Sequence, residues 1–314
     1  MPDAALPKLL VIANPSSGGG ATGRRIPDVE RALRRYGLPY QLACTTRPGH
    51  ASEIAASGTA RDVDVIAVVG GDGTLNEVSQ AYISADGSVV RGPDLAVIPS
   101  GSGGDFRKTI GLSGTIDEAV ARIRFGQRRV CDLGVLEMHD HSGKAMIRAF
   151  INIASFGVGG LVDKIVNEAP KWLGGKAVFY LGTLKATFQY KNAPVRIRVD
   201  GTPFYEGPIF NVAIANGRYF GGGMKIAPQA DLGDGRFEVI ALGDLSKPEV
   251  IALSGKIYAG SHLGNAGVTV GAGKVVEAEP IHPWSKVLLD VDGEAPGKLP
   301  MRASIREGAL MLRC

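Results

Sequence analysis

The sequence predicts an α/β amino-terminal domain built on a doubly wound parallel sheet, followed by a second domain that is mostly antiparallel β. The first observation is that apolar strand-like runs alternate with amphipathic helical segments over residues 8–125, a pattern typical of a parallel sheet covered by helices. The second is a change after Arg129, where short runs such as Val195–Val199 alternate apolar and charged residues. That alternation indicates antiparallel strands with one face in water.

The predicted elements follow from this periodicity in chain order. In the first region, strands are predicted at 8–13, 40–45, 64–69 and 95–98, and helices at 26–36, 49–56, 74–81 and 115–125. In the second region, strands are predicted at 130–137, 149–154, 195–199, 209–215, 236–241, 274–278 and 287–291, with helices near 161–190 and 247–259.

Glycine-rich turns directly follow three of the predicted strands, at 14–20, 70–73 and 99–104. The carboxyl ends of parallel strands meet at one edge of a sheet, where such folds bind ligands, so we expect these turns to lie together. A strand, a glycine turn and a helix also present backbone N–H groups to an anion. A tight turn that needs glycine for its conformation alone is the alternative interpretation.

Composition restricts the function classes. The chain has 314 residues, 45% of them hydrophobic, and a net charge of +4, which is too weakly basic to argue for nucleic-acid binding. Its three cysteines lie far apart and fit no metal spacing, so we expect reduced thiols and a cytoplasmic protein. No signal peptide is evident, and no apolar run reaches the roughly 18 residues of a transmembrane helix.

Five stretches together resemble the diacylglycerol kinase catalytic-domain family, which includes bacterial lipid kinases and sphingosine kinases. The most specific is Gly-Gly-Asp-Gly-Thr-Leu-Asn-Glu at 70–77, and the others follow in the family's order at 14–18, 99–106, 227–235 and 292–294. The resemblance implies an NAD-kinase-like and diacylglycerol-kinase-like fold with a nucleotide-binding domain at 1–130, a β-sandwich domain on the lipid or acceptor side at 131–297, and a segment at 298–314 that returns to the first domain.

The resemblance also implies ATP as phosphoryl donor and assigns nucleotide contacts to the glycine turns and neighbouring strand ends. The implied contacts are Asn14, Pro15, Ser16, Ser17, Gly18, Thr45, Gly70, Gly71, Asp72, Gly73, Thr74, Leu75, Asn76, Glu77 and Ser102. One position departs from the family, because Gly104 stands where the family usually has asparagine. Any role of that asparagine is therefore not carried over to this chain.

Two carboxylates three residues apart, Asp231 and Asp234, lie in a short glycine loop that ends at Arg236. Such an oxygen-rich loop tolerates Mg²⁺, but the Asp-Gly pair is also the strongest hairpin signal, and the residues alone favour a hairpin turn. The resemblance reverses that preference. It implies a magnesium ion held by the Asp234 side chain and by the main-chain carbonyls of Asp231 and Arg236.

A cluster of acids at the end of an apolar run, Asp290–Glu294, is the candidate source of a catalytic base. A carboxylate near a desolvated cleft can have its pKa raised toward neutrality and then accept a proton from a hydroxyl. The resemblance places the acceptor in the Asp-Gly-Glu stretch at 292–294, and within it we expect Glu294 to be the base, with Asp292 close behind. Asp72 in the central turn is the rival, and solvated acids in a turn are the alternative interpretation.

These observations lead to an ATP-dependent lipid kinase that reaches its substrate at the membrane surface. The residues at helical spacing in 170–188 could contact lipid or simply form core. A NAD kinase, which shares the Gly-Gly-Asp-Gly turn, and a non-catalytic nucleotide-binding regulator stay open as alternatives. The sequence also leaves open whether the protein forms a homodimer and which lipid it uses.

Overall fold

The computed structural model describes residues 5–100, 104–168, 182 and 185–314. The chain divides into two compact units, Met1–Asp132 with Gly308–Cys314, and Leu133–Glu307. The elements of the first unit are β1 (Leu9–Ala13), α1 (Ala21–Arg35), β2 (Tyr40–Cys44), α2 (His50–Ala55), α3 (Gly58–Arg61), β3 (Val65–Gly70), α4 (Asp72–Ser79), β4 (Asp94–Pro99), α5 (Asp105–Thr109) and α6 (Ile116–Phe125).

Parallel strands in the order β2-β1-β3-β4 form the sheet of the first unit. Alternate residues of β1, Leu9, Val11 and Ala13, pack with α1 and α6 in one hydrophobic cluster. The intervening residues face the opposite side of the sheet because side chains alternate along a strand. The chain runs from β1 outward to β2 and then back across to β3, so the topological switch point lies between β1 and β3.

The carboxyl-terminal segment of the chain belongs to the first unit and is fixed there by buried charge. Its strand lies parallel to β4, with Leu312 opposite Leu95. Asp94 is only 6% exposed and accepts hydrogen bonds from Arg128 and Arg313 at 2.7–2.8 Å. A buried carboxylate needs such partners to offset its desolvation, so these two arginines hold the amino end of β4 and the last strand together.

The second unit contains two antiparallel sheets. Its elements are β5 (Arg128–Asp140), which begins in the first unit, β6 (Ala145–Phe150), β7 (Ile153–Gly157), α7 (Val158–Glu168), β8 (Ala193–Val199), β9 (Thr202–Ile209), β10 (Asn211–Ala215), β11 (Phe237–Leu242), α8 (Lys247–Ala259), β12 (Val268–Gly273), β13 (Val275–Pro280), β14 (Leu289–Val291) and β15 (Gly297–Arg313), which ends in the first unit.

The two sheets of the second unit pack face to face. One contains β13, β8 and β9 with the first part of β15, and β5 and β6 join it at β15, whereas the other has the order β12-β11-β10-β7-β14. Side chains from both sheets share one core cluster, in which the rings of Phe150 and Phe237 stack with centroids 5.4 Å apart. The outer face of the five-stranded sheet is covered by α7 and α8. This architecture confirms the predicted fold class.

The structure corrects one predicted strand. A single strand over 149–154 is wrong, because the chain breaks at Ile151 and Asn152 between β6 and β7. The backbone amides of these two residues bond to a side chain, that of Asp292, and not to a neighbouring strand. No helix in the part of the chain that the structure describes is both long and apolar enough to cross a bilayer.

Candidate active site

The glycine turns after β1 and β3 lie side by side at the switch point. The backbone amide of Asn14 donates to the carbonyl of Val69 at 3.0 Å. The side-chain amide of Asn14 donates to Thr74 Oγ1 at 3.2 Å, and its Oδ1 accepts from Ser16 N at 3.1 Å. Asn14 therefore joins the two turns and shapes its own turn at the same time.

Left-handed backbone makes glycine necessary in the first turn. Gly18, Gly19 and Gly20 have φ values of +62°, +65° and +83°, a run of conformations that residues with a Cβ rarely adopt. In the second turn, a Cβ built on Gly73 would meet no atom within 4 Å. A Cβ on Gly19 of the first turn would likewise meet no atom, so each turn has a glycine beside which the backbone is open to a phosphate group.

Helix α4 presents unused backbone donors at the second turn. Its first intrahelical bond is donated by Leu75 to the carbonyl of Gly71 at 3.1 Å. The amides of Asp72, Gly73 and Thr74 therefore have no partner within the helix. Because the helix dipole also favours negative charge at this end, these amides can bind an anion.

The other predicted contacts of the central motif have different surroundings. Leu75 and Asn76 are buried, and Glu77 accepts a hydrogen bond from the backbone of Ala51 at 3.1 Å, at the start of α2. Glu77 thus connects α4 to α2, and the part of these three residues in nucleotide binding stays a prediction. Thr45 lies at the same sheet edge, since its amide donates to Ala13 at the end of β1.

The remaining predicted contacts of the first turn are Pro15, Ser16 and Ser17. The carbonyl of Pro15 accepts from Gly23 N in α1 at 3.1 Å, and Ser17 Oγ would be 3.5 Å from a Cβ added to Gly71. The first turn is therefore packed against both α1 and the central turn. Ser102 lies outside the described residues.

Asp72 is the first residue of α4, and its side chain bonds to the amino end of α5. Its carboxylate accepts from the amides of Asp105 at 2.8 Å and Phe106 at 3.4 Å. Burial raises the pKa of Asp72, and the neighbouring charge of Asp105 raises it further, against these two hydrogen bonds. Lys108 forms an ion pair with Asp105 at 2.8 Å, so two acids and one base gather where β3 and β4 end.

The glycine that departs from the family pattern has a structural reason. Gly104 has a φ of +112° and precedes α5. A Cβ at this position would lie 3.1 Å from Cδ of Arg107, whose guanidinium donates to the carbonyl of Ser113 at 3.1 Å. An asparagine here would require Arg107 to move, so the stem of Arg107 occupies the space that a side chain at residue 104 would need.

In the second unit, Asp292 anchors the turn that carries the candidate base. Asp292 and Gly293 have φ values of +50° and +90° between Val291 and Glu294. The carboxylate of Asp292 accepts from the amides of Ile151, Asn152 and Ile153 at 2.8–3.1 Å. Both oxygens of Asp292 are thus engaged by backbone amides, and this geometry favours Glu294 over Asp292 as the base.

Glu294 is the more accessible acid of this turn. Its side chain is 38% exposed and its Oε2 lies 2.8 Å from Nη2 of Arg148, which is 20% exposed. Arg148 fixes the direction of the carboxylate through a charge-assisted bond. No sequence pattern predicts this pair, because 145 intervening residues separate its members.

The turn predicted to bind magnesium, residues 231–236, has carboxylate oxygens, but Arg236 also pairs with one of them. Oδ1 of Asp231 accepts from Gly233 N at 3.0 Å, and Oδ1 of Asp234 accepts from Arg236 N at 3.2 Å. The guanidinium of Arg236 lies 3.0 Å from Oδ2 of Asp234. An all-oxygen donor set suits Mg²⁺, and an ion at Asp234 would compete with this ion pair. Across the described residues, no three His, Cys, Asp or Glu side chains cluster as a metal site.

Comparisons with known proteins give similarity over nearly the whole chain. Residues 8–136 match the family model of the diacylglycerol kinase catalytic domain, and residues 152–314 match the YegS C-terminal NAD kinase beta sandwich-like domain. A diacylglycerol kinase of Staphylococcus haemolyticus is 31% identical, with 92% of this chain and 83% of that protein covered.

Solved structures are similar in fold. A diacylglycerol kinase from Bacillus anthracis aligns with a TM-score of 0.69 and 22% identity, covering 99% of this chain and 98% of that one. An NAD kinase from Archaeoglobus fulgidus in complex with ATP aligns with a TM-score of 0.50 and 15% identity, covering 98% and 93%. The second match extends the shared fold to kinases of a soluble nucleotide.

The raised pKa of Asp72 predicts a pH-dependent cost to stability. The folded protein binds this proton more readily than the unfolded chain, so the free energy of unfolding falls as the pH rises from 3.8, the ordinary value for aspartate, through the raised value. Relative to Asp72→Asn, the wild type should lose roughly 1.4 kcal/mol for each unit by which the pKa is raised. Urea unfolding at a series of pH values measures the difference.

Asp117→Asn is the control for this experiment, because Asp117 is an exposed aspartate paired with Arg35 on the surface of the same unit. It should show no such trend. A difference in the free energy of unfolding between wild type and Asp72→Asn that stays constant across the acidic pH range would contradict the effect of burial.

Proposed function

The chain belongs to the diacylglycerol kinase family, and from this premise we propose that it transfers the γ-phosphoryl group of ATP to a hydroxyl of diacylglycerol or a related long-chain lipid. The observation that carries the proposal is the pair of glycine turns joined by Asn14 and Thr74. A kinase needs a held triphosphate, and these turns offer main-chain donors at the ligand-binding edge of the sheet.

In this proposal the phosphates bind chiefly to backbone amides. The donors are the amides of Asp72, Gly73 and Thr74 at the start of α4, together with those of Gly18 and Gly19 in the first turn, because the amides of Asn14, Ser16 and Ser17 already donate within the protein. Thr45 adds a hydroxyl at the same sheet edge. Asp72 acts by holding α5 against the turn through its bonds to Asp105 and Phe106, with Lys108 offsetting the negative charge of this acidic pair.

Glu294 is the proposed proton acceptor for the lipid hydroxyl. Arg148 orients its carboxylate, and Asp292 sets the turn on which it stands. The proton leaves the attacking hydroxyl for Glu294 while the hydroxyl oxygen forms a bond to the γ-phosphorus. The bond from that phosphorus to the bridging oxygen breaks at the same time, and ADP leaves. General-base assistance of this kind contributes about 10² to 10⁴ in rate.

A magnesium ion is proposed at the turn of Asp231, Asp234 and Arg236, held by the Asp234 carboxylate and by the carbonyls of Asp231 and Arg236. The positive charge of the ion would stabilise this acidic loop. Without the ion, the guanidinium of Arg236 offsets part of the negative charge by pairing with Asp234. A second Mg²⁺, accompanying the nucleotide, would neutralise phosphate charge. The protein would reach its lipid substrate from the cytoplasm, at the surface of a membrane.

Radiolabel transfer tests the proposed function. Wild-type protein with radiolabelled ATP and Mg²⁺ should label one member of a panel of diacylglycerol, monoacylglycerol, a sphingoid base and a polyprenol in detergent micelles. Glu294→Gln should lower kcat by about 100-fold or more, since it removes the base, with little change in melting temperature. Asp292→Asn should instead lower stability by about 1–3 kcal/mol, because one of its three amide bonds loses its acceptor.

NAD is included in the same assay as an acceptor. Label in NADP and in no lipid would favour the NAD kinase alternative. Absence of label in every acceptor, with ATP still bound by the protein and Glu294→Gln without effect, would favour a non-catalytic regulator.

Magnesium binding at the proposed turn is measured without ATP. Added Mg²⁺ should raise the melting temperature of the wild type, corresponding to about 2.7 kcal/mol at 100 times the dissociation constant. Asp234→Ala should remove most of that increase, and Asp244→Ala, an exposed acid in the same unit, should keep it. An equal increase in both variants would contradict this placement of the ion.

A further inference from the structure

Helix α8 is apolar on its buried side and uncharged on much of its exposed side. Leu253 and Ile257 are buried in the cluster over the five-stranded sheet. On the opposite side Ile251 is 60% exposed and Tyr258 is 55% exposed. Residues 252, 255 and 259 on this exposed side are alanine or glycine, so no charge interrupts the face between these two large side chains. We define the docking face as Ile251, Ala252, Gly255, Tyr258 and Ala259.

The carboxyl end of α8 lies at the same end of the five-stranded sheet as the turn that carries Glu294. The amide of Lys225 donates to the carbonyl of Ile257 at 3.1 Å, and Lys225 belongs to the loop that follows β10. At the start of that loop, Asn216 N donates to the carbonyl of Asn152 at 2.9 Å. Asn152 N donates to the carboxylate of Asp292 at 3.1 Å. The loop after β10 therefore bonds to Tyr258's end of the helix through Lys225, and its first residue bonds to the strand break that holds Asp292.

Lysines predominate around the docking face. Lys225 and Lys256 lie near the carboxyl end of α8, and Lys247 begins the helix and donates to the carbonyl of Tyr190, next to Lys191. The acids nearby are Glu249, which caps the helix by accepting from Ser246, and Asp244, which accepts from Asn192. The ammonium of Lys247 is engaged by the carbonyl of Tyr190 and lies 5.6 Å from the centroid of the buried Phe210 ring. The other three lysines against two acids give this region an excess of positive charge.

We propose that the docking face inserts into the interfacial region of a bilayer that contains anionic lipid. Burial of an aliphatic and an aromatic side chain supplies the apolar contribution, and a tyrosine suits the boundary between hydrocarbon and water. The surrounding lysines attract anionic head groups. A second copy of the chain fits less well, because two such faces packed together would bring their lysines close to each other, and like charges repel.

This inference rests on the proposed function, since a kinase of diacylglycerol must reach a substrate that stays in the membrane. The link from α8 to the Asp292 turn gives it a specific consequence. Insertion of the face of α8 would hold the end of the sheet that carries Glu294 close to the bilayer surface, where the hydroxyl of diacylglycerol lies.

Vesicle sedimentation without ATP tests the docking face directly. Wild-type protein should bind vesicles of phosphatidylcholine with phosphatidylglycerol more strongly than vesicles of phosphatidylcholine alone. The double variant Ile251→Glu with Tyr258→Glu should bind the anionic vesicles roughly tenfold more weakly or worse, because two apolar side chains no longer leave water. Phe125→Glu, which changes a 70%-exposed residue of the other unit, should bind as the wild type does.

Enzyme assays separate docking from chemistry. The double variant should lose activity on long-chain diacylglycerol in vesicles by a similar factor and keep its activity on a dispersed short-chain diacylglycerol. Circular dichroism checks that the double variant folds. A second variant, Lys191→Gln with Lys256→Gln, should weaken binding to anionic vesicles and leave binding to phosphatidylcholine vesicles unchanged.

Unchanged vesicle binding by the double variant would overturn the inference. Conversion of a dimer to a monomer by the same variant, seen by light scattering with vesicle binding retained, would also overturn it and show that a second copy covers the face. If the wild type phosphorylates no lipid yet binds vesicles through Ile251 and Tyr258, the proposed function fails while the docking face stands.

Discussion

The hydrogen bonds of Asn14 are the constraint on which the first unit's candidate site depends. Through its backbone and side chain, this residue fixes the turn after β1 to the turn after β3, at the point where the direction of winding reverses. The glycines on both sides leave the backbone accessible, and α4 begins with three amides that have no partner in the helix. A site built in this way needs no lysine in the turn, because the main chain supplies the donors.

The acidic turn of the second unit is built on the opposite principle, since a side chain there satisfies the backbone. Asp292 accepts from three consecutive amides at the break between β6 and β7. This interaction explains why the strand breaks at Ile151 and Asn152. It also explains why Asp292 keeps the left-handed conformation on which the turn depends. It leaves Glu294, oriented by Arg148, as the acid that is accessible to a substrate.

Much of the fold could be predicted from local periodicity, whereas interactions between distant residues could not. The helix at 247–259 and the apolar strand before Gly70 are predicted closely, because each has a regular pattern and clear ends. The long strand β15 is absent from the prediction, because Pro300 and Gly308, residue types that strands disfavour, lie within it. In the candidate site, the motif identified Asp72, but its contact with Asp105 and the pairing of Arg148 with Glu294 depend on tertiary structure.

Backbone amide chemical shifts during an ATP titration test the central claim that main-chain donors of the two joined turns hold the phosphates. The account predicts that the largest shifts occur at Asp72, Gly73 and Thr74 and in the turn of Gly18–Gly20. It also predicts that Asn14→Ala, which removes the side-chain bonds between the turns and within the first turn, weakens ATP binding by roughly tenfold or more. Saturable ATP binding that leaves these amides unchanged would contradict the account.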